Sequence, residues 1–399
     1  MSRHELLGQL SGLHQMMRHL FESIPEADCY TSYNPSLPSL AWLFGRAVYL
    51  ESYWIREVVQ EDNDITHRVH HLFAHDVDPS QINVNDLPSR EHLLNWALPL
   101  QDHHLMLLAN PTQLPPHPLI ENEQLLRLVL QQQAIICEQM LMQLSERRLT
   151  LGEPHLALNP IHELQPSTNH EDLHQGHYRI GAKDDPAALD NELPPNVVEL
   201  SSFRMDKMPV TNGAFLSFIN ANGYRDRTLW SDIGWEWLQR MDKHPNHWRQ
   251  DGARHWYGIG LNGPYDLIAE DYVYGISYFE AQAYANWVAT LGGIYEGAIV
   301  QHEYQWEVAA RSKAITSFKR VYEWCANLFH PYSGYQTPEY IEAISTGMDE
   351  SEYSVRGYSI HSQPIQQRSS FRTHAKPGSR YNFCGTRLVF PPSKMAWHK

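Results

Sequence analysis

Histidine is the residue with the most chemistry to offer in this chain, at 24 of 399 positions. Two clusters have spacing that could gather a metal. In THRVHHLFAHD, His67, His71 and His75 follow one another at i, i+4 and i+8, which puts them on one face of a helix. In NHEDLHQGH, His170, His174 and His177 stand beside Glu171. Imidazole and carboxylate ligands hold zinc or iron when their geometry converges. The plainer readings are a polar helix face or loop entry for the first cluster and a solvated linker for the second. His103 and His104 are adjacent and cannot share a helix face. One of them is expected to turn into a helical core as a satisfied histidine.

Cysteine offers less. Cys29, Cys137, Cys325 and Cys384 show no CxxC spacing, so neither a disulfide framework nor a thiolate zinc site is indicated. Cys137 could in principle be a nucleophile, but it lies in an apolar helical stretch. Such surroundings raise a thiol pKa and quench reactivity.

These groups need a scaffold, and the chain is long enough for two domains. At 42% hydrophobic and 19% charged residues the composition is that of a globular protein. A net charge of -15 argues against nucleic acid or an anionic membrane as partner. No apolar run reaches bilayer length. The opening MSRHELLGQLSGLHQMMRHLF reads as an amphipathic helix, not a signal peptide. Reduced thiols and a cytoplasmic location follow as the expectation.

Apolar periodicity predicts four helices at about 4–24, 38–60, 87–109 and 119–148, joined by segments rich in Pro, Asp, Asn and Ser. Four amphipathic helices imply an antiparallel bundle, with the polar link at 76–86 crossing one end. From Leu149 the pattern changes to short apolar runs and aromatics. HYRIGA, VVELSSFRMD, YVYGISY and GTRLVF read as strands, and EAQAYANWVATL and YQWEVAARS as helices. Thr211 or Asn212 is placed to cap the helix in MPVTNGAFLSFI. The aromatics of ISYFEAQAYANW (Tyr278, Tyr284, Trp287) read as core. The expected division is a helical bundle over 1–154, a linker over 155–176 and a mixed domain over 177–399, an α+β chain.

The second half also carries DNELP at 190–194, PVTNGAFLSFI at 209–219, ISYFEAQAYANW at 276–287, YQWEVAAR at 304–311, VYEWCANLF at 321–329, YSVRGYS at 353–359 and FCGTRLVF at 383–390. In this order they resemble the formylglycine-generating-enzyme, or sulfatase-modifying-factor, fold, a C-type-lectin-like domain. More narrowly, with a DinB-like helical bundle in front, they resemble the ergothioneine and ovothiol sulfoxide synthases. The resemblance implies a non-heme iron site on three histidines of the bundle, capped by the second domain. It also implies a catalytic tyrosine before the VRG run, where Tyr353 stands. His247 and Trp248 match a segment that lines the substrate cleft. Arg356, Arg368, Arg372 and Arg387 fall in an arginine-rich tail suited to carboxylate substrates, although Arg387 reads better as an internal ion pair.

Several family features are altered. Relatives with copper chemistry carry two cysteines after RGYS, and IHSQPIQQRSSFR has none. A calcium-supporting Asn is replaced, with Lys319 and Arg320 before VYEW. The signature around AIVQHEYQWE keeps Glu303, Trp306 and Glu307. In the family the first iron ligand ends a WHLGH run; here the run is AWLFGR and Arg46 holds the position. The other two come as HxxxHxE on the fourth helix. Here Gln133 and Cys137 stand there, or Gln132 and Ile136 after a one-residue slip. No histidine lies between His117 and His155, so neither register restores a ligand. Arg46 would then anchor a carboxylate ligand or pair with an internal acid such as Glu51 or Glu138.

The leading expectation is a divergent family member without the iron site, keeping an inter-domain cleft for a small polar ligand of amino-acid or thiol type, or for a protein partner, and needing no cofactor. The alternative is an active, oxygen-dependent oxidoreductase with re-ligated iron(II), joining a thiol to a histidine derivative through a C–S bond.

Overall fold

The structure is a computed structural model and describes residues 1–316 and 320–392. Its first part is a bundle of helices. Helix α1 (Arg3–Glu22) opens on a capping box. Ser2 Oγ accepts from the Glu5 amide, and the Glu5 carboxylate accepts from the Ser2 amide at 2.7 Å. It buries Leu6, Leu10, Leu13, Met17 and Phe21, a stripe three to four residues apart that seals one face. A single turn, α2 (Glu26–Cys29), leads to α3 (Leu40–Ser52), capped by Ser39. Helix α3 is apolar on nearly every side because it is the central member, continued by a π-helical turn to Val59.

Apolar periodicity predicts no helix between 60 and 86, yet α4 (Asp64–Phe73) forms there. The reason is tertiary. Gly45 on α3 has no side chain, and the Phe73 ring fills the space: a Cβ on Gly45 would lie 2.3 Å from it. Helix α5 (Arg90–Ala109) and the 28-residue α6 (Gln124–Leu151) complete the bundle, α6 stopping at Gly152 in the left-handed conformation. Among the described residues no helix is long and apolar enough to cross a membrane.

The second part is a mixed domain of short strands. Strands β1 (His170–Leu173), β4 (Phe203–Asp206), β13 (Leu388–Phe390) and β8 (Ile299–Val300) form one sheet in the order β1-β4-β13-β8. A second runs β11 (Thr373–Ala375), β10 (Tyr353–Gly357), β9 (Tyr322–Leu328), β12 (Cys384–Gly385). A hairpin of β2 (Gly176–Ile180) and β3 (Asn196–Leu200) and a meander of β5 (Trp248–Gln250), β6 (Trp256–Gly260) and β7 (Gly263–Asp266) flank them. Helices α7 (Asn212–Asn220), α8 (Asp232–Leu238), α9 (Tyr278–Thr290) and α10 (Glu303–Arg311) pack on the strands. Thr211 caps α7 as expected, accepting from the Ala214 amide. Gly385 of FCGTRLVF is required by close backbone approach, since a Cβ there would lie 2.2 Å from the carbonyl oxygen of Val273 in the YVYGISY segment.

Two local expectations are corrected. YVYGISY is not a strand: Gly275 takes a φ of 68° and Ser277 turns to cap α9, so only a single bridge at Tyr272 remains. Part of the span read as linker is strand β1, because His170 stacks on Phe390 and its Nε2 lies 3.2 Å from Asp206.

Candidate functional site

Helix α6 runs along the seam between the two parts, and beside it opens a cavity of about 430 Å³. The bundle contributes Arg46, Gln132, Ile135 and Gln139; the mixed domain contributes Tyr322 and Glu342. A larger surface groove of about 630 Å³ lies next to it but contains neither Arg46 nor Glu138.

Arg46 sits where α3 and the end of α4 meet. Its Nη1 donates to the carbonyl of Phe73, one of the orphan carbonyls at the end of α4. The same guanidinium pairs with Glu342, with Nη1 at 3.2 Å from Oε1 and Nη2 on Oε2. The Glu342 carboxylate also accepts the His75 amide at 2.9 Å, and its carbonyl accepts Gln132 Nε2 at 2.8 Å. Glu342 is 1% exposed and Arg46 12%, so the pair is formed away from bulk water, and each charge is hydrogen-bonded as burial requires. The partner is therefore neither Glu51 nor Glu138, the acids expected for it.

Gln132, and not Gln133, turns toward this pair. Gln133 is buried and donates to the Ala47 carbonyl at 2.8 Å inside the bundle. Cys137 also faces inward, its sulfur 3.6 Å from that of Met16, and burial pushes its thiol up to about 12. Gln133 and Cys137, the first of the two pairs considered for the ligand positions, thus lie on the inward side of α6. In the slipped register, with Gln132 and Ile136 at the two histidine positions, Glu138 falls on the acid of HxxxHxE.

Glu138 is the seam's second fixed point. It is 3% exposed and accepts from Tyr322 at 2.7 Å, Ser362 at 2.9 Å, Ser359 and Gln366. Burial raises its pKa, against the lowering effect of these donors.

The remaining candidates are distributed through the fold. Tyr353 does not line the cleft; its ring stacks on Tyr278 at 3.9 Å. His247 and Trp248 are core residues: His247 lies flat on Tyr274 at 3.7 Å and burial lowers its pKa to about 3, while Trp248 is fully enclosed. Each arginine of the tail is engaged. Arg356 pairs with Glu307, and Arg372 forks onto Glu303 at 2.8 Å through both nitrogens. Arg368 holds Glu192 and Gln131, and Arg387 forks onto Glu323 at 2.9 Å, the internal pair expected of it. Arg372 reaches the cleft wall, but its charge is committed to Glu303. The acids Glu303 and Glu307 of α10 are thus explained as counter-ions of Arg372 and Arg356.

His67 and His71 are on the exposed face of α4. His170 is held by Asp206, and His174 and His177 are exposed. Among the described residues no three His, Cys, Asp or Glu side chains form a group that could hold a metal ion. Arg320 pairs with Asp271 at 3.2 Å, and Lys319 lies outside the described residues.

A cluster that sequence reasoning does not find lies deep in the bundle. Glu51 on α3 bridges His14 of α1 at 2.7 Å and His104 of α5 at 3.0 Å, all fully buried. Burial alone would raise the Glu51 pKa, but the two imidazoles outweigh it and hold the carboxyl at about 2. His103 is exposed, so the adjacent pair splits as expected. The only signal for the cluster is a polar residue inside an apolar helix.

Comparison with known proteins fits this architecture. Residues 165–319 match the family described as Sulfatase-modifying factor enzyme 1-like domain. The matched stretch is thus similar to a sulfatase-modifying-factor domain, and it lies behind a helical bundle. It is similar, in particular, to hercynine oxygenases. That of Mycobacterium tuberculosis is 30% identical over 257 residues, covering 53% of this chain and 58% of that protein. That of Mycolicibacterium thermoresistibile is 37% identical over 146 residues, covering 36% and 30%. The match therefore spans a little over half the length of the Mycobacterium tuberculosis protein. The solved structure of PvdO from Pseudomonas aeruginosa aligns with 58% of this chain and 99% of its own at 19% identity and a TM-score of 0.39.

Proposed function

We propose that this chain is a relative of the hercynine oxygenases in which the iron position is taken over by an ion pair, and whose inter-domain cleft takes a small polar ligand of amino-acid or thiol type. The observation that carries the reading is the engagement of Arg46 with Glu342 and the Phe73 carbonyl, beside Gln132. That donor set does not fit a divalent cation. A guanidinium has no lone pair to offer and repels a metal. Glutamine is a weak neutral ligand, and facial iron sites take imidazole and carboxylate donors around open positions. Cys137 does not repair the set, because it faces Met16 inside the bundle. The cleft itself is suited to a ligand: it lies between two domains, is polar on both walls and has room for a small molecule.

The same reading includes two units divided within 155–176, ahead of strand β1, and a reducing, cytoplasmic setting. All four cysteines are buried and free, in keeping with the latter.

The test is oxygen uptake by protein purified without an affinity tag, given a thiol together with hercynine. The expected result is no uptake above the protein-free control. Sustained thiol-dependent uptake would instead establish the active iron oxidoreductase.

A further inference from the structure

Between β9 and β10 the chain makes an excursion that belongs to neither sheet. Residues 335–345 leave and return at one point, and Asp190 holds both ends of the loop. Its Oδ2 accepts Tyr335 Oη at 2.7 Å and the Ser345 amide at 2.9 Å, and its Oδ1 accepts Ser345 Oγ. Asn191 adds a bond to Ser345 Oγ at 2.9 Å. The DNELP motif therefore clasps the neck of an Ω-loop. Gly334 and Gly347 flank the neck with φ of 83° and 76°, conformations in which a side chain is strained.

The tip of this loop reaches the bundle. Tyr340 meets Trp54 edge-on at 5.5 Å, and Glu342 enters the Arg46 position. Glu342, Ala343, Ile344, Ser345 and Thr346 form one wall of the cleft. A carboxylate from the loop thus lies on a guanidinium of the opposite wall, with the His75 amide as an additional donor. Three donors around one carboxylate make a receptor for that group. It is filled by the chain's own side chain.

We propose that residues 335–345 form a lid on the cleft, and that Glu342 is a built-in stand-in for a small carboxylate ligand, which binds to Arg46 by displacing Glu342 and releasing the lid. The inference rests on the reading that Arg46 faces an anion and not a metal. The competition is intramolecular, so the resident carboxylate acts at an effective concentration on the order of millimolar and weakens an outside ligand accordingly. The lid makes no ladder with a strand; it is held at its neck by Asp190 and Asn191, and at its tip by Arg46, His75, Gln132, Trp54 and His117, with Tyr340 and Ala343 packed on the bundle core. A loop held through side chains, with no backbone ladder of its own, opens at lower cost than sheet or core.

Glutarate, whose ends are carboxylates on short methylene arms, is the probe. Calorimetry on the full chain should show Glu342→Ala binding glutarate at least tenfold more tightly than the unmodified protein. Binding should vanish in Arg46→Ala/Glu342→Ala. Hydrogen exchange should show residues 335–346 losing protection in the unmodified protein when glutarate is added. Should Glu342→Ala fold poorly, Glu342→Gln keeps an acceptor for the His75 amide while removing the charge, and the same tightening is expected. Equal affinity with and without Glu342, absence of binding to both Glu342 variants, or binding that survives loss of Arg46 each overturns the proposal. Iron found at this position overturns the parent reading instead, so the two failures are separable.

Discussion

Arginines placed in two regions of this molecule look alike in sequence and differ in consequence. In the mixed domain, Arg356, Arg372 and Arg387 are buried against carboxylates carried by helix α10 and strand β9. Both partners are framework, and neither can leave without dismantling a layer. At the domain seam, Arg46 is buried against a carboxylate carried by a loop. The chemistry of the pair is the same, but on the lid proposal the anion can be exchanged. A guanidinium suits carboxylate recognition only if its resident partner is movable, and by that criterion Arg46 qualifies where Arg356, Arg372 and Arg387 do not.

The contrast can be broken most forcefully in the framework. Glu303 neutralises Arg372 and lies 3.5 Å from Arg356, so Glu303→Ala leaves buried positive charge uncompensated. The expected loss is about 3–5 kcal/mol, read as a lowered denaturation midpoint or as failure to express in soluble form. A loss below about 1 kcal/mol would mean that these pairs are not the framework elements described.

Next in size is the seam. Arg46→Ala and Glu342→Ala should each cost about 2–3 kcal/mol, because each leaves a largely buried partner alone. The double variant should cost less than their sum, with a coupling of at least about 1 kcal/mol in a double-mutant cycle. Strict additivity would show that the two side chains do not act as a pair.

The bundle core supplies a test in pH. The Glu51 carboxyl is depressed to about 2 by His14 and His104, below its ordinary value near 4.5. A depressed acid contributes stability above its unfolded pKa and loses it as pH falls toward the folded one. The advantage of the unmodified protein over Glu51→Gln should therefore be full at about pH 6 and shrink between about pH 4.5 and 2. A constant difference across that window would contradict the assignment. The smallest effect is expected from His67→Ala/His71→Ala, on the exposed face of α4: within about 0.5 kcal/mol.

The four long helices were legible because apolar spacing of three and four is a strong signal, as in Leu6, Leu10, Leu13 and Met17. Helix α4 was not, because its apolar contribution is little more than Leu72 and Phe73. What admits it is a glycine in a different helix. The site was legible on one side only. Arg46 stands out as a charge in an apolar run, and local sequence locates it. Its partner lies far along the chain in an irregular loop, and nothing in the periodicity of 335–346 announces that Glu342 crosses the seam. Which face of α6 looks toward the seam was hidden for a related reason. Gln132 and Gln133 are the same residue type, so composition could not decide which one faces outward, and only the packing against Ala47 and Glu342 separates them. His247 and Trp248 were misplaced because an aromatic pair that fits a cleft also fits a core, and here Tyr274 and Trp256 enclose it.

The central claim is that a cation–anion pair occupies the position that the family resemblance assigns to iron. Iron per chain, measured on untagged protein after incubation with iron(II) without oxygen and removal of the excess, tests it most directly. The account predicts well under roughly one-tenth of an atom per chain, with no change in Arg46→Ala. Close to one atom per chain, lost when Arg46, Gln132 or Glu342 is substituted, would contradict it.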